Sequence, residues 1–369
     1  CIRDRDTSAR LTGDDGVNPA TGLRVFPGVT LKILGNYDTD NADGDGNEAT
    51  GTMERAYIDF SHGLYVEGTI TGHQDANPGD GLRDNALYID IDCDFMVTTP
   101  TSLIDLVGED GAPGSGMWGN GGNFYVYADG TIVTRGRIDL RGGSGDTGAA
   151  GGNLQLDAEY GMYNTGSIDT SGGIGNTAVG GDAGYVELYS DDTGPMMNSG
   201  PVTARGGDGA TGGGDGGEMD LYTDEVGGLA NSGALDSSGG NCIGPDGPGG
   251  EAGDIVLDVH GGSMRAAGSY TARGGAGAGT GDGGDGNYIE FYVDYDDYIE
   301  ENYQGGALYL GADIDARGGD GANGGEGGDV IIEMEYYDPV SPGRHEIVLF
   351  GYAEFNGSGG DGAVHGGAA

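Results

Sequence analysis

The chain has 369 residues, of which 85 are glycine and only 36% are hydrophobic, so a thick conventional core is not expected. It contains 61 acidic and 15 basic residues, and its formal net charge of -46 excludes nucleic acid as a natural partner and would repel acidic polysaccharides. The same charge concentrates cations, which favours Ca²⁺ as a cofactor, with simple solubility as the alternative reason for the acidity.

The N-terminal residues suggest a location. The three cysteines, Cys1, Cys93 and Cys242, are too few for a disulfide scaffold and lack metal-ligand spacing. The sequence starts with Cys, and it has no apolar run long enough for a signal peptide or a membrane helix. In these respects it resembles a mature bacterial lipoprotein. The resemblance implies a lipid on Cys1, a polar tether over residues 2–6, and anchoring of an extracellular protein to the outer membrane; an arbitrary sequence boundary is the alternative.

An acidic segment follows, in which carboxylates alternate across a glycine turn, as in loops that wrap one hard cation. The predicted Ca²⁺ ligands in this segment are Asp38, Asp40, Asp43, Asp45, Asn47 and Glu54. An EF-hand-like spacing that starts at Asp43 also includes Asp45, Asn47 and Glu54, but Glu48 occupies the place of the usual glycine. A looser Asp-rich site is therefore expected, against a solvated acidic loop as the alternative.

From residue 70 onward, a short line of the form apolar-x-x-x-Gly-Gly recurs, at first in shortened form. The line begins at Ile70, Ile104, Ile138, Ile168, Val202, Leu235, Tyr270, Ile314 and Phe355, in steps of 30 to 44 residues. A fixed period in this range is typical of solenoids. Each period also holds a strictly alternating segment, such as 186–189, and a short apolar element before a Ser-Gly or Ala-Gly corner, such as 229–233.

These features predict an all-β fold, a right-handed parallel β-helix (solenoid) of about nine coils with three short strands per coil and Gly-rich loops. Residues 1–28 are predicted to form an N-terminal tether and cap, and residues 29–369 a single solenoid domain. The pattern resembles the glycine-rich parallel β-helix proteins of bacterial surfaces, over about residues 57 to 365. The resemblance indicates an architecture and says little about function.

Two sets of polar residues recur at or in the Gly-rich loops. The position before each Gly-Gly pair is Arg or Ser, as in Arg205 and Arg317, and we expect a structural column with loop carboxylates such as Asp208 and Asp320 as partners. Regularly spaced loop acids are also predicted Ca²⁺ ligands, with glycine loops without metal as the alternative. These acids are Asp208, Asp215, Asp282, Asp285 and Asp320.

Tyrosines occupy the outward positions of the alternating segments, as at Tyr125, Tyr189 and Tyr222. We expect a solvent-facing cross-strand ladder, with sugar stacking or subunit contact as the alternative.

No catalytic constellation is apparent, because the five histidines are scattered and Lys32 is the only lysine. The sequence therefore predicts a protein that is not an enzyme. We expect a calcium-stabilised extracellular structural protein that assembles head to tail into a filament or serves as an adhesive stalk. A carbohydrate-binding or polysaccharide-cleaving β-helix protein, with a cell-surface polysaccharide as partner, is the alternative.

Overall fold

The computed structural model describes residues 22–35, 55–74, 88–111, 119–192, 194–224, 227–294, 306–334, 346–349 and 354–365. Within these ranges all regular structure is β, and every strand-to-strand pairing between named strands is parallel. No helix in the described part of the chain is long and apolar enough to cross a membrane. The fold is an all-β parallel solenoid, as the repeat predicts.

The strands form three stacks, in which each strand pairs with its counterpart one coil further along. The first stack contains β3 (Arg55–Val66), β5 (Tyr88–Thr98), β7 (Phe124–Ala128), β10 (Leu154–Ala158), β13 (Val186–Ser190), β16 (Met219–Thr223), β19 (Ile255–His260), β22 (Ile289–Asp294) and β26 (Val330–Met334). The second stack contains β1 (Leu23–Val25), β8 (Ile132–Thr134), β11 (Met162–Asn164), β14 (Met196–Asn198), β17 (Leu229–Asn231), β20 (Met264–Ala266), β23 (Ala307–Leu310) and β27 (Glu346–Leu349).

The third stack is a separate ten-stranded sheet that corresponds to the recurring Gly-Gly line. It contains β2 (Thr30–Gly35), β4 (Thr69–Gln74), β6 (Leu103–Asp105), β9 (Arg137–Asp139), β12 (Ile168–Asp169), β15 (Val202–Thr203), β18 (Leu235–Asp236), β21 (Ser269–Thr271), β24 (Asp313–Asp315) and β28 (Glu354–Asn356). A small two-stranded sheet joins β25 (Gly321–Asn323) to β29 (Gly362–His365).

The predicted number of regular coils is wrong. Six consecutive coils, from β7 to β24, contain three separate short strands among the described residues, and the strands β26, β27 and β28 repeat this pattern once more. In the two preceding coils, the 12-residue β3 and the 11-residue β5 each run through both the first and the second stack without a corner. The count of nine was based on the recurring Gly-Gly line, which forms the third stack. That line does not show whether a corner separates the strands of the first and second stacks.

Alternation along each strand directs one set of side chains into the core. In β13, for example, Val186 and Leu188 are buried, whereas Glu187 and Tyr189 are partly exposed. The same two-residue period holds in the neighbouring strands of the first stack, because parallel pairing in register keeps equivalent positions on one face. The core is therefore a set of columns of apolar side chains that run along the axis.

A polar ladder runs through this core at the end of the second stack. The Thr134 hydroxyl donates to Asn164 Oδ1 at 2.7 Å, Asn164 Nδ2 donates to Asn198 Oδ1 at 2.7 Å, and Asn198 Nδ2 donates to Asn231 Oδ1 at 2.7 Å. Asn231 Nδ2 then donates to the Tyr270 hydroxyl at 2.8 Å. All of these residues are buried, so each amide is satisfied by its neighbour in the next coil.

The Gly-rich loops are two extended limbs that pack against each other. The amide of Gly207 donates to Gly181 O of the previous coil at 2.8 Å, and Gly214 N donates back to Gly207 O at 2.9 Å. A Cβ atom on Gly207 would overlap the carbonyl oxygen of Gly173. Neither Gly173 nor Gly207 is among the glycines with positive φ. Glycine is required here because two backbones approach too closely for any side chain.

Candidate functional site

A groove on the outer face of the first stack combines charged, aromatic and apolar groups. It has a volume of about 580 Å³ and spans β13, β16, β19 and β22. It is lined by Glu187, Tyr189, Glu218, Asp220, Leu221, Tyr222, Val256, Asp258, Tyr288 and Glu290, and we refer to it as the acidic groove.

Strand register explains why the groove forms at this place. Glu187 pairs with Asp220, Asp220 with Val256, and Val256 with Glu290, so these four residues form one outward column. Val256 is the one short, apolar side chain among these four. It leaves a depression between Asp220 and Glu290, and its methyl groups form part of the floor.

One wall of the groove is a column of stacked rings. The rings of Tyr189 and Tyr222 lie 4.8 Å apart at an angle of 27°, and His260 lies edge-on to Tyr222 at 5.0 Å. The Tyr222 hydroxyl lies 3.3 Å from His260 Nδ1, and His260 Nε2 lies 3.3 Å from Asp258 Oδ2. The predicted cross-strand tyrosine ladder is thus confirmed, and it positions Asp258 through His260.

The carboxylates of the groove have few compensating charges. Burial, followed by repulsion from Glu218 and Glu187, raises the pKa of Asp220 to about 7. Burial also raises the pKa of Glu187 and of Glu290. Such shifts occur where carboxylates are partly desolvated next to like charges.

Unsatisfied oxygen atoms accompany these shifts. Oδ1 of Asp258, which lines the groove, is buried without a hydrogen-bond partner among the described residues. The same holds for Oδ1 of Asp254, one residue before β19, and of Asp157 in β10. Buried acceptors of this kind are stabilised by any donor that reaches them. The carboxylates that line the groove favour a ligand with hydrogen-bond donors or positive charge.

The predicted loop ligands of Ca²⁺ lie in three different coils, and each accepts a hydrogen bond from the backbone of the next coil. Asp208 Oδ1 accepts from Asn241 N at 2.8 Å, and Asp285 Oδ1 accepts from Glu326 N at 2.7 Å. The remaining pairs are Asp215 with Glu251 N, Asp282 with Asn323 N, and Asp320 with Asp361 N. The loop acids thus join neighbouring coils directly.

No three His, Cys, Asp or Glu side chains are grouped closely enough to hold a metal ion in the part of the chain that the structure describes. The other predicted ligands, Asp38, Asp40, Asp43, Asp45, Asn47 and Glu54, lie outside the described residues, as does Cys1 with its expected lipid. Calcium binding and lipidation remain predictions.

The Arg and Ser column has one of its two expected loop partners, and its other arginines have different partners. Arg317 Nε donates to Asp315 Oδ1 at 2.8 Å, and Arg205 Nε lies 3.6 Å from Asp236 Oδ2. Of the two predicted partners, Asp320 lies 3.9 Å from Arg273, whereas Asp208 bonds to Asn241. The carboxylates that pair with most of the arginines come from the third-stack strands, two residues before the column. This arrangement is a structural stripe of alternating charge.

The two cysteines within the described residues, Cys93 and Cys242, are buried and free. Burial raises the pKa of the Cys93 thiol to about 12.

Comparison with known proteins found no matching family model, no matching curated protein and no matching solved structure.

Proposed function

We propose that the protein is a non-catalytic extracellular structural protein: a calcium-stabilised, lipid-anchored surface solenoid that assembles end to end or serves as an adhesive stalk. The observation that carries this proposal lies at the C-terminal end of the stack. Ile347, Leu349 and Phe355 continue core columns and pair in register with Leu308, Leu310 and Ile314, yet they are 50%, 61% and 42% exposed.

The opposite end also presents an unpaired strand and exposed apolar side chains. Within the described residues, β2 pairs only with β4, and β28 pairs only with β24, so each end of the third stack presents a strand with one unpaired edge. Phe26 and Val29 are 44% and 41% exposed near the N-terminal end. Unpaired edges and exposed core residues favour pairing with another chain. A second copy that docks its N-terminal end on the C-terminal end would repeat the contact in a head-to-tail filament.

Calcium and membrane anchoring are supported by the sequence alone. The net charge of -46 favours a bound divalent cation, since neutralisation relieves repulsion between coils. The lipoprotein-like Cys1 would hold one end of the stalk at the outer membrane.

The test is negative-stain imaging of the purified protein with and without millimolar calcium at matched ionic strength. We expect rods or filaments that shorten on chelation. Phe355→Asp places a charge on the exposed end of the core and should abolish end-to-end contacts. Ile243→Asp, at a residue that is 59% exposed in a loop, is the matched control and should leave them intact. Single short particles under all conditions would refute the filament, and equal lengths with and without calcium would refute the role of the ion.

A second function, carbohydrate binding, is favoured by the acidic groove. Carboxylates and tyrosine rings line the groove together with Val256, and aromatic and apolar side chains with a few polar groups are a common composition of small-ligand sites. Retention on immobilised neutral and cationic glycans tests it, with Val256→Gln as the variant that fills the depression. Absence of retention on every glycan would refute this second function.

A further inference from the structure

The acidic groove selects its ligand by charge. We propose that it binds a glycan of amino sugars, whose primary ammonium groups meet the groove carboxylates while the sugar body covers Val256 and the tyrosine wall. This inference rests on the second proposed function, carbohydrate binding, and adds the chemical class of the sugar.

The spread of the carboxylates argues for an extended organic cation. Glu187, Asp220 and Glu290 lie on one column of the stack, and neighbouring strands in a sheet are about 4.8 Å apart. Glu187 and Glu290 are three coils apart, so their carboxylates cannot surround a single ion, and no group of three ligands in the described ranges is arranged to do so. A chain with several ammonium groups can engage carboxylates that are separated in this way.

Two features other than the carboxylates indicate a ligand at this place. The first is the depression itself, where the short apolar side chain of Val256 lies between Asp220 and Glu290 in the column. The second is Oδ1 of Asp258, a buried acceptor that has no hydrogen-bond partner among the described residues. An ammonium group carries three donors and no acceptor, so it bonds to the carboxylate oxygens that line the groove without leaving an unpaired group of its own.

The charges in and around the groove disfavour an anionic ligand. His260, 25% exposed and paired with Asp258, is a basic side chain next to the groove, whereas Glu218 in the lining and the nearby Asp254 add negative charge. A uronic acid or sulfated sugar would be repelled by this field. A neutral sugar would leave the carboxylates uncompensated.

The test uses two oligosaccharides that differ only at nitrogen. Isothermal titration calorimetry at pH 7 compares the tetramer of glucosamine with the tetramer of N-acetylglucosamine. We expect the amine to bind at least about tenfold tighter, because charge-assisted hydrogen bonds are stronger than neutral ones. Equal binding of both tetramers would overturn the charge selection and leave carbohydrate binding intact. Binding of neither would overturn both.

Variants locate the binding to the groove. Asp258→Asn should weaken binding of the amine by about tenfold, and Val256→Gln should weaken it without any change of charge. Glu109→Gln removes one exposed acid elsewhere on the chain and should change the affinity by less than about twofold. Equal losses in Asp258→Asn and Glu109→Gln would show a diffuse charge effect and overturn the site.

Two further probes separate the sugar from other amines. Spermine and tetralysine carry primary ammonium groups without a sugar body. We expect both to bind more weakly than the glucosamine tetramer in matched buffer. Binding as tight as that of the tetramer would overturn the assignment to an amino sugar in favour of a polyamine or a basic peptide.

Discussion

Asn198 is the central link of the buried amide ladder, and its replacement by alanine tests how much the ladder stabilises the fold. Asn198 accepts a hydrogen bond from Asn164 and donates one to Asn231, each at 2.7 Å, and it is 2% exposed. Asn198→Ala leaves one buried donor and one buried acceptor without a partner. Each unsatisfied group costs about 1–3 kcal/mol, so we expect the free energy of unfolding to fall by about 2–6 kcal/mol.

The assay is urea unfolding followed by far-UV circular dichroism. Met197→Ala is the matched control, because Met197 is the preceding residue and is 49% exposed, and we expect it to cost less than about 1 kcal/mol. In a double-mutant cycle, Asn164→Ala and Asn198→Ala should couple by about 0.5–3 kcal/mol because they remove the same hydrogen bond. A loss in Asn198→Ala no larger than in Met197→Ala would refute the stabilising role of the ladder.

Three further predictions follow from other parts of the fold. The raised pKa of Asp220 means that its ionisation destabilises the native state above pH 7, and this penalty is lost as the pH falls through 7 towards the unfolded value of 3.8. Asp220→Asn should therefore stabilise the protein by about 1–2 kcal/mol at pH 8, after allowance for solvent screening. Near pH 4 the same variant should change the stability by almost nothing, and thermal unfolding measures both values. Gly207→Ala should lower the melting temperature by more than Gly212→Ala, because a Cβ at Gly212 would lie 3.5 Å from the nearest atom of Pro248, an ordinary contact distance, and equal effects would argue against close packing of the loops. The Cys93 thiol, with its pKa raised to about 12, should resist iodoacetamide at pH 8 until the protein is unfolded, and rapid native labelling detected by mass spectrometry would contradict its burial.

The sequence was sufficient for the fold class because one line recurs at nearly constant spacing and the intervening segments alternate. The strands of the third stack begin at or within one residue of the apolar positions of that line, as at Ile168, Val202 and Leu235. The number of regular coils could not be predicted in this way, because it depends on corners between the first and second stacks. In β5, residues from Tyr88 to Thr98 continue through the place where later coils turn.

The amide ladder and the groove required knowledge of register. Asn164, Asn198 and Asn231 each precede a Ser-Gly or Thr-Gly corner, and the recurrence of Asn at that position was a signal that could have indicated the ladder. Asn is also a common turn residue, so its recurrence before a corner can be explained by the turn alone, without a buried hydrogen-bonding role. The role of Val256 in forming the groove can be recognised only once its alignment with Asp220 and Glu290 is known.

Distances between spin labels along one stack test the parallel solenoid most directly. In a cysteine-free background, one label replaces Asp105 in β6, and the second replaces Asp236, Thr271 or Asp315, which lie four, five and six strands further along the third stack. Electron–electron double resonance should give distances that increase by about 4.8 Å per strand, from about 19 to about 29 Å. Distances that fail to increase in equal steps with each coil would contradict the parallel, in-register stack on which the core, the ladder and the groove depend.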